Sequence, residues 1–280
     1  MRRHLFASAA LSAAVALAAA TSAAAAEPVW QETGTAYVDS LGGGQGLASR
    51  ADGSLLHRGL GSVPLDLRLK GWSHVGDPDI ARGYVFDAYQ GADTATSKMF
   101  AVTTPEGKRY EYVHALDAGE KVNNSFAAVS PDAQWLVSGE WGDQNRLQVF
   151  PAPLLNPATP PTGGALPQAA QITLDKPVRD IQGCDFVNDT RLLCASDDGS
   201  KTLFPEDRPL LQVDLTHRLD GSPVTGHVAS LFALPQRSVC TGTFEAEGVD
   251  YEAATGTLRA EVVPPGVCKV ATTVYSYRLG

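Results

Sequence analysis

Residues 123–139 read NNSFAAVSPDAQWLVSG. An apolar stretch from Phe126 to Val129 meets Ser130-Pro131-Asp132, and a second apolar stretch begins at Trp135. Short β-prone runs on either side of a Pro/Asp turn predict strand, tight turn, strand. The same passage recurs in GGGQGLASRADGSLL from 42, GWSHVGDPDIARGYVF from 71, RDIQGCDFVNDTRLLCASDD from 179 and EAEGVDYEAATGTLRAEV from 245. Between these units, GYVFDAY, RLQVFPAP, PLLQVDL and TTVYSYRL alternate or carry aromatic and β-branched residues between Gly, Pro, Asp and Asn. Helical periodicity is nearly absent, so the chain is expected to be all-β.

Many short antiparallel strands reach a stable core most simply as a radial array, which leaves no long free edges. The expected fold is a β-propeller of five blades, with six as the alternative and a β-sandwich as the competing architecture. The first repeat interval is too short for a full sheet, so GTAYVDSL (34–41) is expected beside TTVYSYRL (272–279), joining the two chain ends. NPATPPTGG (156–164) and FPEDRP (204–209) are expected to be loops within one domain, 27–280. VSPDAQWLVSGEW resembles the S-P-D-G-x-x-[LI] segment of TolB-like and WD-type propellers, with Ala133 where Gly is usual. A left-handed backbone there strains any residue with a Cβ. EGVDYEAATGTLRAEV, followed by VYSYRL, resembles a segment of NHL-like and esterase-like phytase propellers. The resemblance implies architecture rather than activity, because propellers host hydrolases, lectins and interaction modules alike.

The start MRRHLF, an Ala-rich apolar run and the small residues of TSAAAAEP make residues 1–26 a secretory signal peptide, and Ser and Thr interrupt the run too early for a membrane anchor. Without Arg2 and Arg3, Lys plus Arg is 20 against 31 Asp plus Glu, a formal charge of −11. Such a surface repels phosphate backbones, and nucleic acid is excluded as a partner. A secreted monomer with a glycan, protein or small-molecule ligand is expected. Four Cys in an exported chain suggest two bridges. Cys184–Cys194 and Cys240–Cys268 are favoured among the three pairings, because an Asn-Asp turn sets Cys184 and Cys194 across a hairpin.

SHVGDPD (73–79) admits two readings. Asp77 and Asp79 face one side of an extended segment and are candidate ligands of a hard cation such as Ca2+, with His74 as a general base. Gly-Asp-Pro-Asp is equally good turn chemistry, in which the carboxylates bind backbone N–H groups. The other unit starts each contribute polar residues: Gln45, Asn123 and Asn124, Asp180 and Gln182, Glu245 and Glu247. One such side chain per unit, chiefly Asn124, Gln182 and Glu247, makes a ring suited to a polyhydroxylated ligand. EWGDQNR adds Trp141, Asp143 and Asn145 as a candidate sugar contact, and is also a plausible inter-strand turn. Trp72 and Trp135 are expected in the core.

No G-x-S-x-G or H-E-x-x-H is present, which argues against a Ser-nucleophile elbow and a histidine zinc site. Basic residues near the unit starts are sparse, Arg82 and Arg179 being nearest, so phosphate-gripping chemistry is disfavoured. The sequence leaves two function classes, an extracellular binding propeller and a calcium- or carboxylate-dependent hydrolase or lyase acting at the channel mouth.

Overall fold

The computed structural model describes residues 29–122 and 126–280. Residues 1–26, expected to be a signal peptide, and Asn123 and Asn124 lie outside the described residues. The chain is all-β. Its helical pieces are short turns such as Ser40–Gly43 and Leu65–Leu69. Among the described residues no helix is long and apolar enough to cross a membrane.

Each sequence unit opens with the expected pair of strands. Gly46–Ser49 pairs with Leu55–Arg58 alone. His74–Val75 and Asp79–Ala81 both lie against Tyr84–Gln90, followed outward by Ser97–Thr103 and Arg109–Ala115. Ala128–Val129 leads through Trp135–Ser138 and Asp143–Pro151 to Ala170–Arg179. Ile181–Asn188 leads through Arg191–Ser196 and Pro209–Leu215 to Val224–Ala233. Glu245–Glu252 is followed by Thr257–Val263, Ala271–Leu279 and then the N-terminal strand Trp30–Asp39. The two chain ends meet as expected, with Gly34 opposite Ser276 and Val38 opposite Thr272.

The strands between are apolar on both faces because each sheet is covered on both sides. In the fourth unit, Leu192, Leu211 and Val213 join Val137, Leu147 and Ile172 of the third in one core cluster. Their strand neighbours Leu193, Ala195 and Leu210 point the other way, onto Val249, Leu258 and Tyr275 of the fifth. Phe86, Phe100 and Tyr112 meet Val129, Leu136 and Phe150 in the same manner. Trp72 and Trp135 pack half-buried against cores, as expected. The seam between the fifth and first units is polar instead. Ser49 N–H donates to Asp250 at 2.6 Å, Arg259 bonds Ser49 and Asp250, and His57 meets Glu261 at 3.1 Å.

The first strands form a closed circuit, Gly46–Ser49, Asp79–Ala81, Ala128–Val129, Ile181–Asn188, Glu245–Glu252 and back. Asp77 stands at its centre, 1 % exposed. Its Oδ1 accepts from Leu47 N–H at 2.9 Å and its Oδ2 from Val249 N–H at 3.0 Å, while its carbonyl accepts from Ala127 N–H at 3.0 Å. A Cβ on Gly183 would stand 2.4 Å from Asp77 Oδ2, and one on Gly248 2.3 Å from Oδ1, so only glycine lets these backbones approach the carboxylate. Ala133 takes φ +59°, the strained left-handed turn that its place in S-P-D-A implied.

Both disulfides, Cys184–Cys194 and Cys240–Cys268, are formed as expected. Cys184 and Cys194 face each other directly across the hairpin.

Replacing Asp77 by Ala is expected to leave the Leu47 and Val249 N–H groups buried without acceptors. Each orphan costs roughly 1–3 kcal/mol, so urea unfolding should show a loss of several kcal/mol, and Asp77→Asn, which keeps one acceptor, a smaller loss.

Candidate functional site

Two cavities open at the two ends of this channel. The larger, about 1010 Å3, is bounded by the hairpin tips and floored by Asp79, Asp185 and Asp250. These three acids are engaged by the fold. Asp79 accepts from Val129 N–H at 2.6 Å, Asp185 from Tyr251 N–H at 2.6 Å, and Asp250 from Ser49 and Arg259. Burial nevertheless pushes the Asp79 carboxyl up to about 7 and raises Asp185 and Asp250 as well.

The other cavity, about 780 Å3, lies where the first strands begin. Gln45, His74, Gln182, Glu245 and Glu247 line it, with Gln90, Glu120, Asp197 and Trp141 around them. Local backbone explains the placement. Gln182 and Glu247 sit at register shifts, between Ile181 and Gly183 and between Ala246 and Val249, and such bulges re-aim a side chain. Gln45, Gln182 and Glu247 each precede a glycine pressed against Asp77. The close approach at Gly therefore holds the polar residue before it at the mouth.

The carboxylates of this cavity differ in their partners. Glu120 pairs with His114 at 2.9 Å and Lys98 at 3.4 Å, Asp197 with Arg208 at 2.8 Å, and Glu245 with Lys269 at 2.5 Å. Glu247, 7 % exposed, has among the described residues only the Gln45 amide as a partner, at 3.4 Å. Burial, reinforced by the charges of Asp197 and Glu245, raises the Glu247 carboxyl well above the usual carboxylate range. Burial lifts Asp197 to about 6 against the pull of Ala246 N–H and Arg208. Burial alone would raise Glu120, but the His114 hydrogen bond and the Lys98 charge outweigh it and hold it at about 2. His74, with no hydrogen-bond partner on Nε2 among the described residues, is lowered by burial, which disfavours its charged form.

The residues of SHVGDPD thus part company along the channel. His74 reaches the smaller cavity, Asp77 occupies the axis, and Asp79 faces the opposite end. The carboxylates of Asp77 and Asp79 each accept two backbone N–H bonds, the turn-like use of these groups. Among the described residues one group, His114, Asp117 and Glu120, has ligand atoms close enough to hold a metal. The Lys98 ammonium already supplies the cation beside that Glu120.

Of the residues singled out from sequence, His74, Trp141, Gln182 and Glu247 share this cavity. Asp143 instead forms a bidentate pair with Arg179, and Asn145 is exposed on the strand Asp143–Pro151; neither lines it. Sequence reasoning missed Gln90, Glu120 and Asp197. Gln90 was reachable in principle as the cross-strand neighbour of His74, whereas Glu120 and Asp197 carry no local signature.

No family model and no curated protein matches the chain. Among solved structures it is similar to the native arabinanase of Bacillus subtilis, at 9 % identity and TM-score 0.42 over 89 % of this chain and 92 % of that one. It is also similar to a glycosyl hydrolase from Bacteroides ovatus, at 14 % identity and TM-score 0.42 over 73 % and 65 %. A third likeness is the periplasmic gluconolactonase of Pseudomonas aeruginosa, at 18 % identity and TM-score 0.36 over 64 % and 47 %. Likenesses this distant leave the chemistry to be argued from the chain's own residues.

Acids whose pKa is raised in the folded state bind protons more tightly there than when unfolded, so they stabilise most at low pH. With Asp197 at about 6 and Asp79 and Glu261 at about 7, their contribution is complete below about pH 4 and lost as pH rises through 6 to 7. Thermal melts are expected to give a higher Tm at pH 5 than at pH 8.

Proposed function

We propose that the five strand groups are the five blades of a β-propeller, and that the chain is an exported hydrolase with its active site in the smaller channel-mouth cavity. The observation that carries this reading is Glu247. Among the described residues it is the buried carboxyl of the cavity without a cationic partner, facing the same space as His74. Two groups whose protonation states are driven apart by their surroundings are suited to acid and base roles.

In this scheme Glu247 gives its proton to the oxygen that leaves, as the bond from that oxygen to the substrate carbon breaks. Water adds to the same carbon and passes a proton to the His74 ring. Transfer of that proton back to Glu247 through solvent restores both groups. The Gln45 and Gln182 amides and the half-exposed Trp141, at 49 %, suit a polyhydroxylated substrate, with the indole stacking on the sugar face. The Ala-rich N-terminus and two disulfides favour an oxidising, extracellular setting.

A second reading, recognition without turnover, is favoured by the exposure of Trp141 beside the amides. The two separate on one experiment. Wild-type protein screened on chromogenic glycosides and sugar lactones is expected to turn over at least one of them, and Glu247→Gln to lose about 10²–10⁴-fold in kcat while still binding it. Activity should be bell-shaped in pH, rising as His74 loses its proton and falling as Glu247 loses its own. Binding with no turnover across the panel leaves the recognition reading.

A further inference from the structure

Glu261 is a buried acid for which the catalytic scheme has no use. It is 0 % exposed and sits on the strand Thr257–Val263 between the buried Ala260 and Val262. That strand pairs with Glu245–Glu252, and the register jumps at this point: Val262 lies opposite Ala246, and Ala260 opposite Val249. Glu261 is therefore the single residue facing the two-residue bulge Glu247-Gly248. Like charges set opposite one another across paired strands repel, so the ionisation of either acid bears on the other.

A second line of contacts joins the two acids around the seam between the fifth and first units. Glu261 Oε1 meets His57 Nδ1 at 3.1 Å. The next residue, Arg58, is clamped by the Asp87 carboxylate at 2.6 and 3.1 Å, and its C=O accepts from the Gln45 N–H at 2.8 Å. The Gln45 amide in turn donates to Gly44 C=O at 2.7 Å and to Glu247 Oε1 at 3.4 Å. Glu261 thus bears on Glu247 twice, once across the bulge and once through the strand pair that carries its amide partner.

The surroundings leave Glu261 free to change charge. Among the described residues its Oε2 has no hydrogen-bond partner, and no Lys or Arg pairs with it. Burial pushes its carboxyl up to about 7, against the pull of His57, with the Asp250 charge adding to the rise. Glu247 is faced by Asp197 and Glu245 as well as by Glu261, with Lys269 as the opposing charge. As pH rises through about 7, Glu261 ionises, and a negative charge opposite Glu247 holds back the proton of that second acid.

We propose that Glu261 is a positioning residue of the channel-mouth site, which keeps Glu247 a proton donor by like charge across the bulge and orients it through His57 and Gln45. The inference rests on the reading of Glu247 as the acid of this cavity and assigns what regulates it.

The test follows the Glu247 carbonyl band by infrared spectroscopy from about pH 4 to pH 10, as the difference between a chain and its Glu247→Gln counterpart. It is run on chain 27–280 and on its Glu261→Gln and Glu261→Asp variants. Gln has the shape of the neutral acid that burial favours and still accepts a bond from His57, so Glu261→Gln is expected to fold. The Glu247 midpoint is expected to fall by about one pH unit in Glu261→Gln, ~10-fold in its proton dissociation constant. Glu261→Asp keeps the charge and should recover most of that shift. A midpoint unmoved in Glu261→Gln, or an equal shift in both variants, overturns the role. The catalytic reading fails separately, by a wild-type midpoint below neutral pH or by turnover that survives Glu247→Gln, whatever Glu261 does.

Discussion

The Asp77 carboxylate at the channel axis is the contact on which the rest of the structure depends. Its two oxygens tie the first unit, through Leu47, to the fifth, through Val249, and its carbonyl reaches the third through Ala127. A ring of sheets has one place where the chain must close on itself, and here that seam lacks the apolar cluster found at the other junctions. Hydrogen bonds from Ser49, Arg259 and His57 to Asp250 and Glu261 hold it instead. Buried polar contacts of this kind are directional, so they fix how closely the strands approach as well as whether they meet.

That approach distance shapes the site. Gly46, Gly183 and Gly248 are drawn so near Asp77 that no side chain fits, and the residues before them are left at the mouth of the channel. The Q-G, Q-G and E-G pairs are therefore one device used three times: glycine for the axis, a polar side chain for the cavity. Burial at the mouth then separates the roles of the acids. Three carboxylates are matched with Lys98, Arg208 and Lys269, and Glu247, without a cationic partner among the described residues, is raised well above the usual carboxylate range.

Much of the fold was legible because it is written in local chemistry. Period-two apolar runs, the S-P-D turn at 130–132 and the hairpin that sets Cys184 opposite Cys194 all follow from short-range rules. The meeting of Gly34 with Ser276 followed from the topological need to close a ring. The site was legible in part. Glu247, Gln182 and His74 stood at unit starts, and the structure places all three in the lining of one cavity. Glu120 and Asp197 reach the cavity only through packing between sheets, and Asp143 looked like a sugar contact until its partner Arg179, 36 residues away, was in view. SHVGDPD posed a choice between turn and site that the sequence could not make, because its residues divide between the axis and the two mouths.

The proposed catalysis requires that Glu247 be a neutral acid in the resting protein. The most direct measurement is an infrared difference spectrum between the wild-type chain and Glu247→Gln at neutral pH. A protonated carboxylic acid carbonyl band present in the wild type and absent from the variant is the predicted result. Loss of an ionised carboxylate band instead would contradict it, and would remove the proton donor on which the catalytic reading stands.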